Sequence, residues 1–206
     1  MTKRNPDGTR QKILDAAYRE VYAKGFRAAS LEQILSDTGL TKGALYHHFP
    51  NKNALGYAIV EEIIPGMIAE MWLRPIESAT DPIDGLIGML QGLQPEHIEM
   101  ACTCGCPLAN LAQEMSPIDE GFRVRIEAAL DSWRDGITDA LLRGQGANQV
   151  RTDIDSHKSA AFIVASIEGM AGMAKNSRDP SMMEACIEGL VLYLETLRVL
   201  APVAAA

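Results

Sequence analysis

An all-α fold of about nine helices is what this sequence predicts. Apolar residues recur at helical spacing from the first segment to the last, and no stretch alternates polar and apolar residues as a half-buried strand would. Helix-start signals stand where those stripes begin, at Ser30 with Gln33 three residues on, Thr41, Asn51, Asp81-Pro82 and Ser116-Pro117. Composition agrees, because 206 residues with 47% apolar and 22% charged side chains supply the core of one or two small globular domains and do not describe a disordered chain.

Taken in order, Met1 to Gly8 reads as a polar arm whose Lys3 and Arg4 are able to reach a nucleic acid. A first helix begins near Thr9, buries Ile13, Leu14, Ala17 and Val21, leaves Arg10, Lys12 and Arg19 outside, and stops at Gly25 in a left-handed conformation. Ser30-Leu31-Glu32-Gln33 is a capping box that opens a second helix with Leu31, Ile34 and Leu35 on its apolar face, and Gly39 ends it. Thr41 caps a third helix of about two turns, stopped by Pro50. Leu45, His48 and Phe49 share its anchored face; Lys42, Gly43, Tyr46 and His47 share the other. Helix, tight Gly39-Leu40 turn and short second helix make a helix-turn-helix, whose second helix enters the DNA major groove. Phe26, Leu31, Leu40, Leu45 and Phe49 close a core too small to stand without a further helix.

That further helix follows the N-cap Asn51 and carries a broad stripe of Ile59, Val60, Ile63, Ile64, Met67, Ile68, Met71 and Trp72. Pro65 removes a hydrogen bond to the Glu61 carbonyl, which predicts either a kink or an irregular break. Asp81-Pro82 opens a helix on which Gly85, Gly88 and Gly92 share a face, where a neighbouring backbone or a ligand passes close. A short helix follows Cys106, Ser116-Pro117 opens a long one carrying Phe122, Ile126, Ala129, Leu130, Trp133, Ile137, Ala140 and Leu141, and Gly144 to Asn148 is a turn. Two more run from about Asp155 to Asn176 and Pro180 to Leu200, and Pro202 to Ala206 fray.

The run from Thr41 to Lys52, with its Tyr46-His47 pair, Phe49 and Lys52, resembles the signature of the tetracycline-repressor (TetR) family of transcription regulators. The resemblance implies a DNA-binding domain over residues 1–52 and an effector-binding and dimerisation domain over 53–206. Its DNA-binding set on this chain is Ser30, Thr41, Lys42, Gly43, Tyr46, His47 and Lys52. Thr41, Lys42, Gly43 and Tyr46 would approach base edges or adjacent backbone; Tyr46, His47 and Lys52 would bind phosphates. It also implies that the helix after the helix-turn-helix communicates effector occupancy, and that the last two helices pack in a homodimer. Small residues Ala160, Ala161, Ala165, Gly169 and Gly172, with a stripe of Met182, Cys186, Gly189, Leu190, Tyr193 and Leu197, suit that packing. One helix-turn-helix reads only a few base pairs, so double-stranded DNA with a palindromic operator is the expected partner.

Charge is divided in the same sense. Residues 1–52 hold nine Lys and Arg against five Asp and Glu, a net +4, and residues 53–206 hold ten against 22, a net −12. A basic end on an acidic body is the footprint of a protein that touches phosphate at one end. No apolar run spans a membrane and no basic-then-apolar leader is present, so the expected location is cytoplasmic, with no membrane partner. His47, His48, His97 and His157 lie in no hydrolase-like motif, and there is no phosphate-cradling glycine loop, HExxH or nucleophile elbow; the chain is not expected to be an enzyme or to need a cofactor.

Cys102, Cys104 and Cys106 stand at alternate positions, with Cys186 the only other cysteine, which is not a disulfide framework. Three readings stay open: buried small hydrophobes lining a pocket, reactive thiols, or soft metal ligands together with His97. Pro107 just inside the next helix would put Cys106 at a helix N-terminus, which lowers a thiol pKa. The run Gly105 to Leu111 is similar to one in a TetR branch of electrophile- and oxidant-responsive repressors, and that likeness implies chemistry between Cys106 and Lys175. The expected function is a repressor released from its operator by a small effector or by cysteine modification. The alternatives are an unreactive hydrophobic ligand with structural cysteines, or a metal response through His97, Cys102, Cys104 and Cys106.

Overall fold

In the computed structural model, residues 6–199 are described, and every regular element among them is helical. The expectations for Lys3, Arg4 and residues 202–206 lie outside the described residues. The helices are α1 (Pro6–Lys24), α2 (Leu31–Thr38), α3 (Lys42–His48), α4 (residues 52–78), α5 (Pro82–Gln91), α6 (Pro95–Cys104), α7 (Pro107–Met115), α8 (Glu120–Gly146), α9 (Ser156–Ser177) and α10 (Pro180–Thr196). The all-α expectation holds. Their contacts form two compact units: the described residues up to Gly66 with Pro107–Ala129, and Met67–Cys106 with the described residues from Leu130 onward.

The caps explain most boundaries. Side-chain oxygens of Ser30, Thr41, Asn51, Asp81 and Asp155 accept from amides of the first turns of α2, α3, α4, α5 and α9, and Gly39 closes α2 in the left-handed region at φ 64°. Gly25, at φ 83°, ends α1 in the same way. Four boundaries correct the sequence expectation. Helix α1 starts at Pro6 rather than near Thr9, since proline is at home in a first turn. Ser116-Pro117 does not open α8; Asp119 does, its Oδ1 accepting from the Phe122 amide at 3.0 Å. Gly144 lies inside α8, where a Cβ would strike Val150 and Pro82 at 2.5 and 2.6 Å, so the expected turn moves past Gly146. Helix α10 ends at Thr196, and the Leu197 carbonyl then accepts from Arg151. Helix α6 was not anticipated: Pro95 opens it with no side-chain cap, and Glu96, His97 and Glu99 interrupt its apolar stripe.

Helix α4 does not break at Pro65. Instead its hydrogen-bond ladder widens twice, in π turns at Ile59–Ile63 and Ala69–Leu73, with the Ile64 amide donating to the Ile59 carbonyl and the Arg74 amide to Ala69. Each π turn is followed at the same interval by a proline, Pro65 and Pro75. A π turn inserts one extra residue, which carries a ring lacking an N–H past the carbonyl that a regular turn would set against it.

The first unit packs Ile13, Leu14, Ala17, Ile34, Leu45, Phe49, Leu55 and Ile59 around Phe26 and Phe122, whose rings meet edge to face at 4.7 Å. Gly56 is required there, because a Cβ would lie 2.4 Å from Phe26 and 2.5 Å from Phe122. In the second unit Trp133, 1% exposed, stacks obliquely on Trp72 at 5.3 Å, and Gly85 lets α5 pass the backbone of Ile76. The close approach to a neighbouring helix expected of the glycine row falls on Gly85; a Cβ on Gly92 would meet the Gly88 carbonyl of its own helix at 2.7 Å, and Gly88 is exposed with nothing near it.

Asp119 also accepts from the Tyr57 hydroxyl at 2.8 Å and the Asn53 amide at 2.9 Å. The Tyr57 bond first, then the Phe122 amide, holds its carboxyl below the usual range. A depressed native pKa contributes stability that is complete above the unfolded value near ~4 and is lost as pH falls through the native one. Asp119→Ala should therefore melt earlier than the parent at pH 7, with the gap closing as pH is lowered through that range. Thermal melts across the series check this, and a gap independent of pH would contradict it.

Candidate nucleic-acid interface

Helix α3 exposes the face that the sequence assigned to it. Thr41, Lys42, Gly43, Tyr46 and His47 are all exposed, while Leu45 and Phe49 are 0% and 2% exposed and His48 is half-buried. Tyr46, at 42%, is one of the chain's large exposed apolar residues, and a Cβ on Gly43 would meet nothing nearer than the Thr41 hydroxyl at 3.9 Å. None of these side chains is spent on the core. A helix this short does not hold itself in water, so its position rests on its two buried anchors and its caps.

Ser30 and Lys52 are placed differently. The half-buried Ser30 caps α2, and its amide donates to Glu20 at 3.1 Å. Lys52 points its ammonium into the α1–α2 loop, donating to the carbonyls of Arg27 at 3.0 Å and Ala29 at 2.6 Å, 5.1 Å from the centre of the Phe26 ring. Desolvation there pushes its pKa down, with Glu114 and Glu20 opposing. The same loop is held by Glu114 of α7, whose carboxylate accepts from the amides of Phe26 at 2.7 Å and Arg27 at 2.8 Å. Arg10 reaches Glu62 of α4 through two bonds of 2.5 and 2.6 Å and lies 4.9 Å from the Phe49 ring. Glu20, Glu62 and Glu114 were not anticipated. A glutamate's reach to a loop 87 residues away leaves no local spacing to find.

The cysteines are free thiols. Cys102 is 7% exposed, and desolvation raises its pKa with help from Asp179. Cys106 immediately precedes α7, but its Sγ donates to Glu168 Oε1 at 3.9 Å, and Glu168 is itself raised in pKa by burial. Lys175 is exposed on α9, two turns beyond Glu168. No group of three or more His, Cys, Asp or Glu among the described residues is placed to hold a metal ion, so His97, Cys102, Cys104 and Cys106 are not assembled as a site.

Residues 13–59 match the family of bacterial regulatory proteins typified by TetR, and residues 82–189 match the C-terminal domain of LmrA/YxaF-like transcriptional regulators. The chain is 32% identical over 191 residues to the transcriptional regulator LmrA of Bacillus subtilis, covering 89% of this chain and 96% of that one. The chain belongs to the TetR family. It is thus a DNA-binding transcriptional regulator, and α2 and α3 lie within the matched residues 13–59. It is also 25% identical over 181 residues to a transcriptional repressor of Mycobacterium tuberculosis, with 87% and 89% of the two chains covered. Among solved structures, a TetR-family regulator from Cytophaga hutchinsonii superposes with a TM-score of 0.86 at 22% identity, over 98% of this chain and 100% of that one, which shows the shared fold. Among the described residues no helix is long and apolar enough to cross a membrane.

Proposed function

We propose that this TetR regulator is a cytoplasmic repressor without catalytic activity. It binds a palindromic operator as a homodimer through the exposed faces of two α3 helices and is released by a small effector held in residues 53–206. The observation that carries the reading is the exposed, core-independent set Thr41, Lys42, Gly43, Tyr46 and His47, on a segment with net charge +4. A glycine at position 43 lets backbone come close to the groove, and Lys42 supplies an exposed cation. Residues 1–52 then form the reading head, with Ser30 and Lys52 supporting it from within. The repressor named among the relatives supports the sign of regulation.

A non-covalent effector is favoured over modification of Cys106. The Cys106 thiol is half-buried and its Sγ donates to Glu168, so it is not presented openly to solvent.

Dimerisation is supported by the outer faces of α9 and α10. Phe162 is 51% exposed, Met173 51% and Leu192 70%, and Gly169, Gly172 and Gly189 have open space where a Cβ would stand. Leu190 and Leu197, which the sequence stripe included, are 4% and 3% exposed within their own chain and belong to its core.

Mobility shifts on the DNA upstream of the chain's own gene test the reading. The parent should bind in a salt-dependent manner. Lys42→Ala should weaken binding and reduce the salt slope by about one, with its melting temperature unchanged. Lys42→Ala binding like the parent at every salt concentration would contradict the assignment of α3.

Phe162→Asp with Leu192→Asp should convert a dimer of 22.4 kDa chains into folded monomers by sedimentation and lower operator affinity in parallel. A variant that remains dimeric would place the interface elsewhere.

A further inference from the structure

The second unit contains a groove of ≈ 650 Å³, within the range typical of small-molecule sites. One wall is α6, through Pro95, Ile98, Glu99, Cys102 and Thr103; the other is the α9–α10 turn and the start of α10, through Arg178, Pro180 and Glu184. Its lining is largely apolar. Ile98 and the two prolines line it together with Cys102, whose thiol is buried.

Charge at the rim is uncommitted. Elsewhere on this chain arginines pair readily with carboxylates: Arg10 with Glu62, Arg123 with Glu120, Arg151 with Asp153, and Arg198 with Asp81, Asp84 and Glu195. Glu99, Glu184 and Arg178 make no ion pair among the described residues, although all three line one groove. Two carboxylates against one guanidinium leave the rim net negative, and Asp179 adds a further negative charge that Cys102 feels. The segment 53–206 carries −12, a field that draws cations toward it.

We infer that this groove binds a hydrophobic organic cation, its apolar body on Ile98, Cys102 and Pro180 and its charge between Glu99 and Glu184. The inference rests on the reading of residues 53–206 as the effector-binding segment and names the effector's chemistry. Cys102 contributes surface and not reactivity, since burial keeps it a neutral thiol. Arg178 tempers the site. The α9 helix ends on it in the left-handed region at φ 54°, and it lines the groove.

The test uses two probes of nearly equal size and shape and opposite sign, tetraphenylphosphonium and tetraphenylborate, titrated by calorimetry into the full chain without DNA. The cation should bind and the anion bind at least about tenfold more weakly. Glu99→Gln with Glu184→Gln should lower cation affinity by about tenfold, whereas Arg178→Gln should raise it, and a merely structural role would not produce the opposite sign. Equal binding of the two probes, or cation binding unaffected by all three substitutions, overturns the inference. Mobility shifts with the same probes separate its failure from that of the regulator reading. A parent that binds DNA without probe but ignores the cation in both assays leaves the regulator reading standing and this groove empty of function. Cation-induced release that Glu99→Gln with Glu184→Gln abolishes supports both.

Discussion

The six-residue loop between α1 and α2 is gripped through its backbone by opposite charges. Glu114 takes the amides of Phe26 and Arg27, and Lys52 takes the carbonyls of Arg27 and Ala29. Residues 25–29 form no helix, so their polar groups need partners wherever water is excluded. Because the partners are charged, each bond is of the stronger kind. The loop in turn presents Phe26 to Phe122 and Gly56 and sets the start of α2 through the Ser30 amide on Glu20. Helix α3 is too short to be independent of that scaffold, and its freedom to expose one whole face follows from the scaffold's holding the other.

This arrangement separates two kinds of residue that a motif presents together. Within the run from Thr41 to Lys52, Lys42, Tyr46 and His47 are exposed, whereas Leu45, Phe49 and Lys52 serve the interior. Sequence spacing located the first kind directly, because an exposed face on a two-turn helix is a matter of local geometry. It could not locate the interior use of Lys52, which depends on carbonyls 23 and 25 residues earlier.

The same boundary between local and distant causes runs through the fold. Caps at Ser30, Thr41, Asn51 and Asp81 were legible because a side chain and the amide it serves lie within three residues. Ser116-Pro117 carried the same local signal and lost to Asp119, which has Tyr57 and Asn53 as further donors. Pro65 announced a fault in α4 but not its form. Nothing in composition marks α6, and without α6 the groove it forms with α10 had no wall. That Cys102 is buried while Cys104 and Cys106 are half-buried is not determined by alternate spacing alone.

Position 43 tests the central claim, that the α3 face is held by the fold for the use of a partner. Alanine there meets open space and replaces a helix-weakening glycine, so Gly43→Ala should leave the melting temperature equal or higher, by up to about 1 kcal/mol of stability. Operator affinity, measured on the same preparation, should fall by about tenfold or more, because the added methyl occupies the space through which backbone would approach the groove. Divergent changes, stability held or raised and DNA binding lost, are the result the account predicts. Unchanged operator affinity in a stably folded Gly43→Ala protein would contradict it.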